Sequence, residues 1–307
     1  MAQAPATIAF FDSGQGGLTI WSAVVKTFPQ LNTIYLGDNA RYPFGTKSAA
    51  TVKRYTLEAI LALVEQGADA IVVACGTASS VAVPQLTSLF AKPIFGIVDP
   101  MCDLTHQAFL ALKDAGNNCD EPMSIALMAT PYTVKSGRFS ERLQQLLNID
   151  LAAVACPLLV PLVEEGFHDH AISRAAVSHY LQALPRDTRI ILLGCTHFPR
   201  LTQAIAEVAS AMFGRTALLY RPGSPVPKDA ILLIDPALAI PNMLCSQLGL
   251  TLEASSNPVN QQLQAKARKN APSHRVFCTD GPEGFERTAR FFCDGTLPAV
   301  QKLVISL

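Results

Sequence analysis

The sequence predicts an α/β protein built on mostly parallel sheet. Short apolar runs rich in β-branched residues recur along the chain, and stretches of helical length with mixed polarity lie between them. The runs show no polar alternation, which is the pattern of strands buried on both faces. With 307 residues the chain is long enough for one large or two medium domains.

Taken in order, the strand candidates are TIAFF (7–11), NTIYLG (32–37), ADAIVVAC (68–75), KPIFGIV (92–98), SIALMAT (124–130), RIILLGC (189–195) and AILLID (230–235). Helices are predicted over 48–66, 103–115, 137–148, 169–184 and 201–213. Stretches rich in Pro, Asp and Gly around 97–100, 116–122 and 221–229 mark the joints. The polar segment 255–275 reads as a surface helix between turns. A faint internal echo relates the strands ending at Asp12 and Cys75 to those ending at Thr130 and Cys195. Two such units facing each other would bring groups from both to one crevice at the carboxyl ends of their strands.

Composition narrows the class. Lys plus Arg and Asp plus Glu number 24 each, so no net charge draws the chain to nucleic acid or an anionic membrane. Half of the residues are apolar and 16% are charged, which favours a packed core over disorder. The opening MAQAPATIAFFDSGQGG has no basic, then apolar, secretory pattern, and no apolar run reaches membrane-spanning length. These features predict a cytoplasmic chain. The eight cysteines, at 75, 102, 119, 156, 195, 245, 278 and 293, form no CxxC pair and read as reduced thiols rather than disulfides or a metal knot.

The chemistry-bearing segments follow strands. FFDSGQGGLT (10–19) runs a strand into Asp12, Ser13 and three glycines, but it lacks the GxGxxG spacing of a dinucleotide site. FGTKSAA (44–50) likewise lacks the spacer of a phosphate loop. Asp12 can cap the turn after its strand or face a ligand. Cys75 is either a packed core thiol or, beside amide donors that lower its pKa, a base or nucleophile. In GCTHFPR (194–200), Cys195 and His197 sit in the loop above another strand, with Pro199 suited to the start of the next helix. Cys-His nucleophilic catalysis would leave Cys75 unexplained. Two thiols suit inversion of a carbon centre, one removing a proton from one face while the other supplies a proton to the opposite face. ACPLLVPLVEEG (155–166) adds Glu164 and Glu165, either solvated acids or partners for His197.

Together, IAFFDSGQGGLT, YLGDNARYPFG, VVACGTASS, ATPYTVKSGRF, ACPLLVPLVEEG, GCTHFPRL and HRVFCTDGPEGFERTARFF occur in the order found in bacterial glutamate racemases of the Asp/Glu racemase family, which the chain resembles from about Thr7 to Asp294. The resemblance implies two pseudo-symmetric α/β domains with the active site between them. One would comprise 7–98 and 212–307, the other 99–211. It implies interconversion of L- and D-glutamate without a cofactor or metal, to supply peptidoglycan. A small amino-acid dicarboxylate would be the substrate, a homodimer the assembly, and a cell-wall precursor a regulator. Carried over by position, Cys75 and Cys195 would be the acid/base pair, Asp12 would assist the first, and Glu164 and His197 the second. Ser13, Pro43, Phe44, Gly45, Gly76, Thr77, Thr133 and Thr196 would line the substrate pocket. Two positions depart from the family pattern. Gly76 replaces the Asn usual after the first cysteine, and Phe44 replaces a Tyr. Racemisation of aspartate or another amino acid, and amino-acid binding without turnover, are the alternatives these departures leave open.

Overall fold

The structure is a computed structural model that describes residues 7–116, 123–250, 272–293 and 295–305. The chain opens with β1 (Thr7–Asp12), α1 (Leu18–Thr27), β2 (Asn32–Gly37), α2 (Ala49–Glu65) and β3 (Ala70–Val73), followed by the short helices α3 (Gly76–Val81) and α4 (Val83–Leu86) and by β4 (Ile94–Gly96). It continues through α5 (Val98–Asp114), β5 (Ser124–Ala129), α6 (Pro131–Lys135), α7 (Arg138–Leu147), β6 (Leu151–Ala155), α8 (Leu159–Glu164), α9 (Ala171–Leu181) and β7 (Thr188–Leu193). Then come α10 (Thr202–Phe213), β8 (Ala217–Leu219), β9 (Ile231–Ile234), α11 (Pro236–Leu248), β10 (His274–Cys278), α12 (Pro282–Ala289) and β11 (Val300–Lys302).

The strands form two parallel sheets, ordered β11-β10-β2-β1-β3-β4 and β6-β5-β7-β9-β8. All seven predicted strands are present, and the α/β class holds. Complete burial of Ile71, Val72 and Val73 in β3, and of Ile191, Leu192 and Leu193 in β7, accounts for their unbroken apolar runs. Each such side chain contributes roughly 1.5–3 kcal/mol when fully buried.

The helices show why their sequences fold as they do. Ser48 caps α2 by accepting from the Thr51 amide at 3.2 Å, and Val52, Thr56, Ala59, Ile60 and Leu63 make one buried stripe along that helix. The joint expected at 97–100 instead forms the first turn of α5, where Pro100 replaces an amide that would have no helical partner. The surface helix expected over 255–275 lies largely outside the described residues.

One boundary is corrected. The return to the first unit expected near residue 212 does not occur there, because β8 and β9 extend the second sheet beside β7. The four residues of β9 are fully buried, and their amides and carbonyls need a strand neighbour that β7 supplies. The chain rejoins the first sheet at His274, which pairs with Thr33. Between these points α11 packs against both α1 and α5, bridging the two halves. Among the described residues, no helix is long and apolar enough to cross a membrane.

Candidate active site

Parallel strands align their carboxyl ends, and the site forms where those ends meet. In the first sheet β1 and β3 are neighbours, ending at Asp12 and just before Cys75; in the second, β5 and β7 are neighbours, ending just before Thr130 and Cys195. The internal echo in the sequence is therefore a spatial correspondence. A cavity of about 280 Å³ lies between the two edges, with Cys75 and Cys195 both on its wall. Both are buried free thiols.

On the first side, Asp12 accepts from the Gly14 amide at 2.8 Å and from the Thr196 hydroxyl at 3.2 Å. The glycines after it serve close packing. A Cβ on Gly17 would crowd the Asp12 side chain, and one on Gly16 would overlap Thr196 and His197. Burial raises the Asp12 pKa, against the opposing pull of His197 and its hydrogen-bond donors. The Cys75 thiol donates to the Ser13 hydroxyl at 3.4 Å. Burial, reinforced by Asp12, pushes this thiol up to about 12. A local amide does act on it, the Ala78 amide pulling the pKa down, but desolvation outweighs that pull.

The second side is charged differently. His197 Nε2 lies 3.0 Å from Glu164, and its Nδ1 lies 3.9 Å from Cys195 Sγ. Burial pulls the His197 pKa down, but Cys195 and Glu164 together carry it up to about 10, so the imidazole holds its second proton at neutral pH. Glu164 ends α8 facing the cavity, whereas Glu165 is exposed.

Of the residues singled out in the sequence, Ser13, Pro43, Phe44, Gly45, Cys75, Gly76, Thr77, Glu164, Cys195, Thr196 and His197 line the cavity. Asp12 lies behind its wall through Thr196. Thr133 stands behind it too, joined to Thr130 at 2.9 Å and to Thr77 at 3.5 Å, while Thr77 and Thr130 are 2.9 Å apart. This hydroxyl cluster crosses from the first half to the second. The sequence reading missed Tyr42, Thr130 and the Pro157–Val160–Pro161 wall as lining residues. Thr130 was legible as a strand end matching Asp12, a signal that would have placed it at the crevice.

Two parallel α/β units that each bring a cysteine to one shared cleft define an isomerase of the amino-acid racemase class. The family model of the Asp/Glu/Hydantoin racemases matches residues 19–226, and the chain belongs to that family. The glutamate racemase of Koribacter versatilis is 32% identical over 306 residues, covering 95% of each chain. The crystal structure of the Thermus thermophilus glutamate racemase in complex with β-chloro-D-alanine aligns with TM-score 0.71 at 32% identity, covering 98% of this chain and 97% of that one. The Francisella tularensis glutamate racemase in complex with D-glutamate aligns with TM-score 0.75 at 25% identity, covering 97% of each.

Proposed function

We infer that this chain is a cofactor-independent glutamate racemase interconverting L- and D-glutamate, and that Cys75 and Cys195 carry the proton transfers. The observation that carries the reading is two buried free thiols on the wall of one cavity, each at the matching strand end of its own sheet. The thiolate of one cysteine takes the Cα proton: the Cα–H bond breaks and an S–H bond forms. The thiol of the other gives its proton to the opposite face of Cα, inverting the centre, and the reverse direction exchanges the roles. Asp12 assists Cys75, and the His197–Glu164 pair assists Cys195. Ser13, Thr77, Thr196 and the Pro43–Phe44–Gly45 turn hold the substrate, with Thr133 bracing Thr77 from behind the wall and Gly76 leaving backbone rather than side chain at its position. Preorganised hydroxyl and amide donors stabilise the carbanion-like transition state.

Bound D-glutamate in the Francisella relative, and L-glutamate with the activator UDP-MurNAc-Ala in the Escherichia coli relative, support a dicarboxylate substrate and precursor regulation. The product serves cell-wall synthesis, and the chain works in the cytoplasm as a homodimer. The test is Cα exchange. L-glutamate in heavy water with the purified chain and no added cofactor should gain α-deuterium and lose optical rotation, while L-aspartate should exchange far more slowly. A folded sample that leaves the Cα proton of glutamate in place would overturn the reading.

A further inference from the structure

His197 follows a strand of the second sheet, but the rings around it come from segments that flank strands of the first. Tyr42, in the loop after β2, stacks on the imidazole with centroids 6.3 Å apart and planes 30° apart. Phe292, beyond α12, meets the imidazole edge-on at 5.0 Å. Burial, reinforced by the nearby Glu164 and Cys195, raises the Tyr42 pKa and keeps its hydroxyl protonated and able to donate toward Glu164, which lines the same cavity walls.

The loop that presents Tyr42 is fixed on both sides. Before it, Arg41 pairs with Asp38 at 2.7 Å and with Glu58, and its guanidinium lies 4.2 Å from the Tyr55 ring centroid. After it, Phe44 is buried against Phe11 and Tyr55. Gly14 leaves room for the Tyr42 ring, since a Cβ there would stand 3.2 Å from it. On the far side of Tyr42 lies an outer cavity of about 540 Å³ that includes Gln15, Asn39, Glu165 and Arg287. Tyr42 and Glu164 line both this cavity and the one holding the thiols.

We propose that Tyr42 is a positioning residue for the Cys195 half of the reaction: from the first half of the chain, its ring and hydroxyl hold the His197–Glu164 pair and wall it off from water in the outer cavity. The proposal rests on the racemase reading above. It makes the Cys195 half incomplete until the two halves of the chain close, because the groups that order the imidazole sit across the cleft from it.

The test compares wild type with Tyr42→Leu and Tyr42→Phe, using L- and D-glutamate with hydrogen or deuterium at Cα. Tyr42→Leu should lower turnover on the order of ten- to a hundredfold, the scale of a misplaced reacting group. The primary isotope effect should rise in the direction in which Cys195 takes the proton and stay at the wild-type value in the other. Tyr42→Phe keeps the ring and should show a smaller change of the same one-sided form. It decides the matter alone should the Leu variant fail to fold. Wild-type turnover in the folded Leu variant, or a loss with both isotope effects unmoved, would overturn the role of Tyr42. Wild-type protein that exchanges no Cα proton would instead overturn the racemase reading beneath it.

Discussion

Gly76 and Gly194 meet across the cleft, with no room for a side chain between them: a Cβ on Gly76 would overlap the Gly194 carbonyl oxygen. Gly194 is itself enclosed by Leu127 and Ala129. The departure from the family's Asn therefore has a steric counterpart in this chain, since the residue after Cys75 packs backbone against backbone on the residue before Cys195.

Gly76→Ala should push those turns apart and destabilise the protein by about 1–3 kcal/mol, the usual cost of overpacking. Urea unfolding would show it as a lower midpoint with an unchanged slope. An unshifted midpoint would mean that the turns separate without cost.

Cys75→Ser and Cys195→Ser should each lower turnover roughly 10²- to 10⁴-fold, the range for losing a positioned acid or base. Neither should disturb folding, since a hydroxyl is close in size to the thiol it replaces. Circular dichroism and the Cα exchange assay separate the two effects, and full activity in either variant would remove that cysteine from the mechanism.

Glu164→Gln removes one of the two groups that raise His197. The imidazole pKa should then fall from about 10 toward its ordinary 6.5. Titration of the His197 ring resonances by NMR measures this directly, and an unmoved midpoint would show that Cys195 alone holds the proton.

Asp235 tests burial away from the thiols. It caps α11 by accepting from the Ala237 amide at 2.7 Å, and burial raises its pKa from 3.8 to about 6. Because the folded value is the higher, the stability it contributes is fully present below pH 3.8 and is lost as pH rises through 6. Asp235→Asn keeps a good helix cap and never ionises. The variant should therefore gain stability relative to wild type between pH 4 and pH 7, read as a rising difference in melting temperature. A pH-independent difference would show that the carboxylate ionises in the fold without penalty.

Much of the fold was legible because its central strands are buried on both faces and so leave unbroken apolar runs. The remainder hid for local reasons. β6 is a half-buried run of small residues, LAAVA, and β8 is three residues long, so neither carries a distinct period. α11 contains Pro236 and Pro241, which read as breakers although the first sits in the opening turn. The boundary near residue 212 was carried over with the family resemblance, and a three-residue β8 leaves no local period by which the run at 230–235 could be assigned to the second sheet. At the site, both cysteines, Asp12, Glu164 and His197 stood out because they lie at or just beyond strand or helix ends. Tyr42 did not, since what it faces, His197, lies across the cleft, and a contact between distant segments leaves no local mark.

The hydrogen bond from the Thr196 hydroxyl to Asp12 spans 184 positions of sequence and joins the acid beside one cysteine to the residue following the other. Thr19 adds a second tie, donating to the Thr196 carbonyl at 3.5 Å. Substitutions on the two sides of the cleft should therefore not combine additively. A change tolerated beside Cys75 in one sequence background can be harmful in another, and lineages that drift at either end of this bond are expected to carry compensating changes at the other.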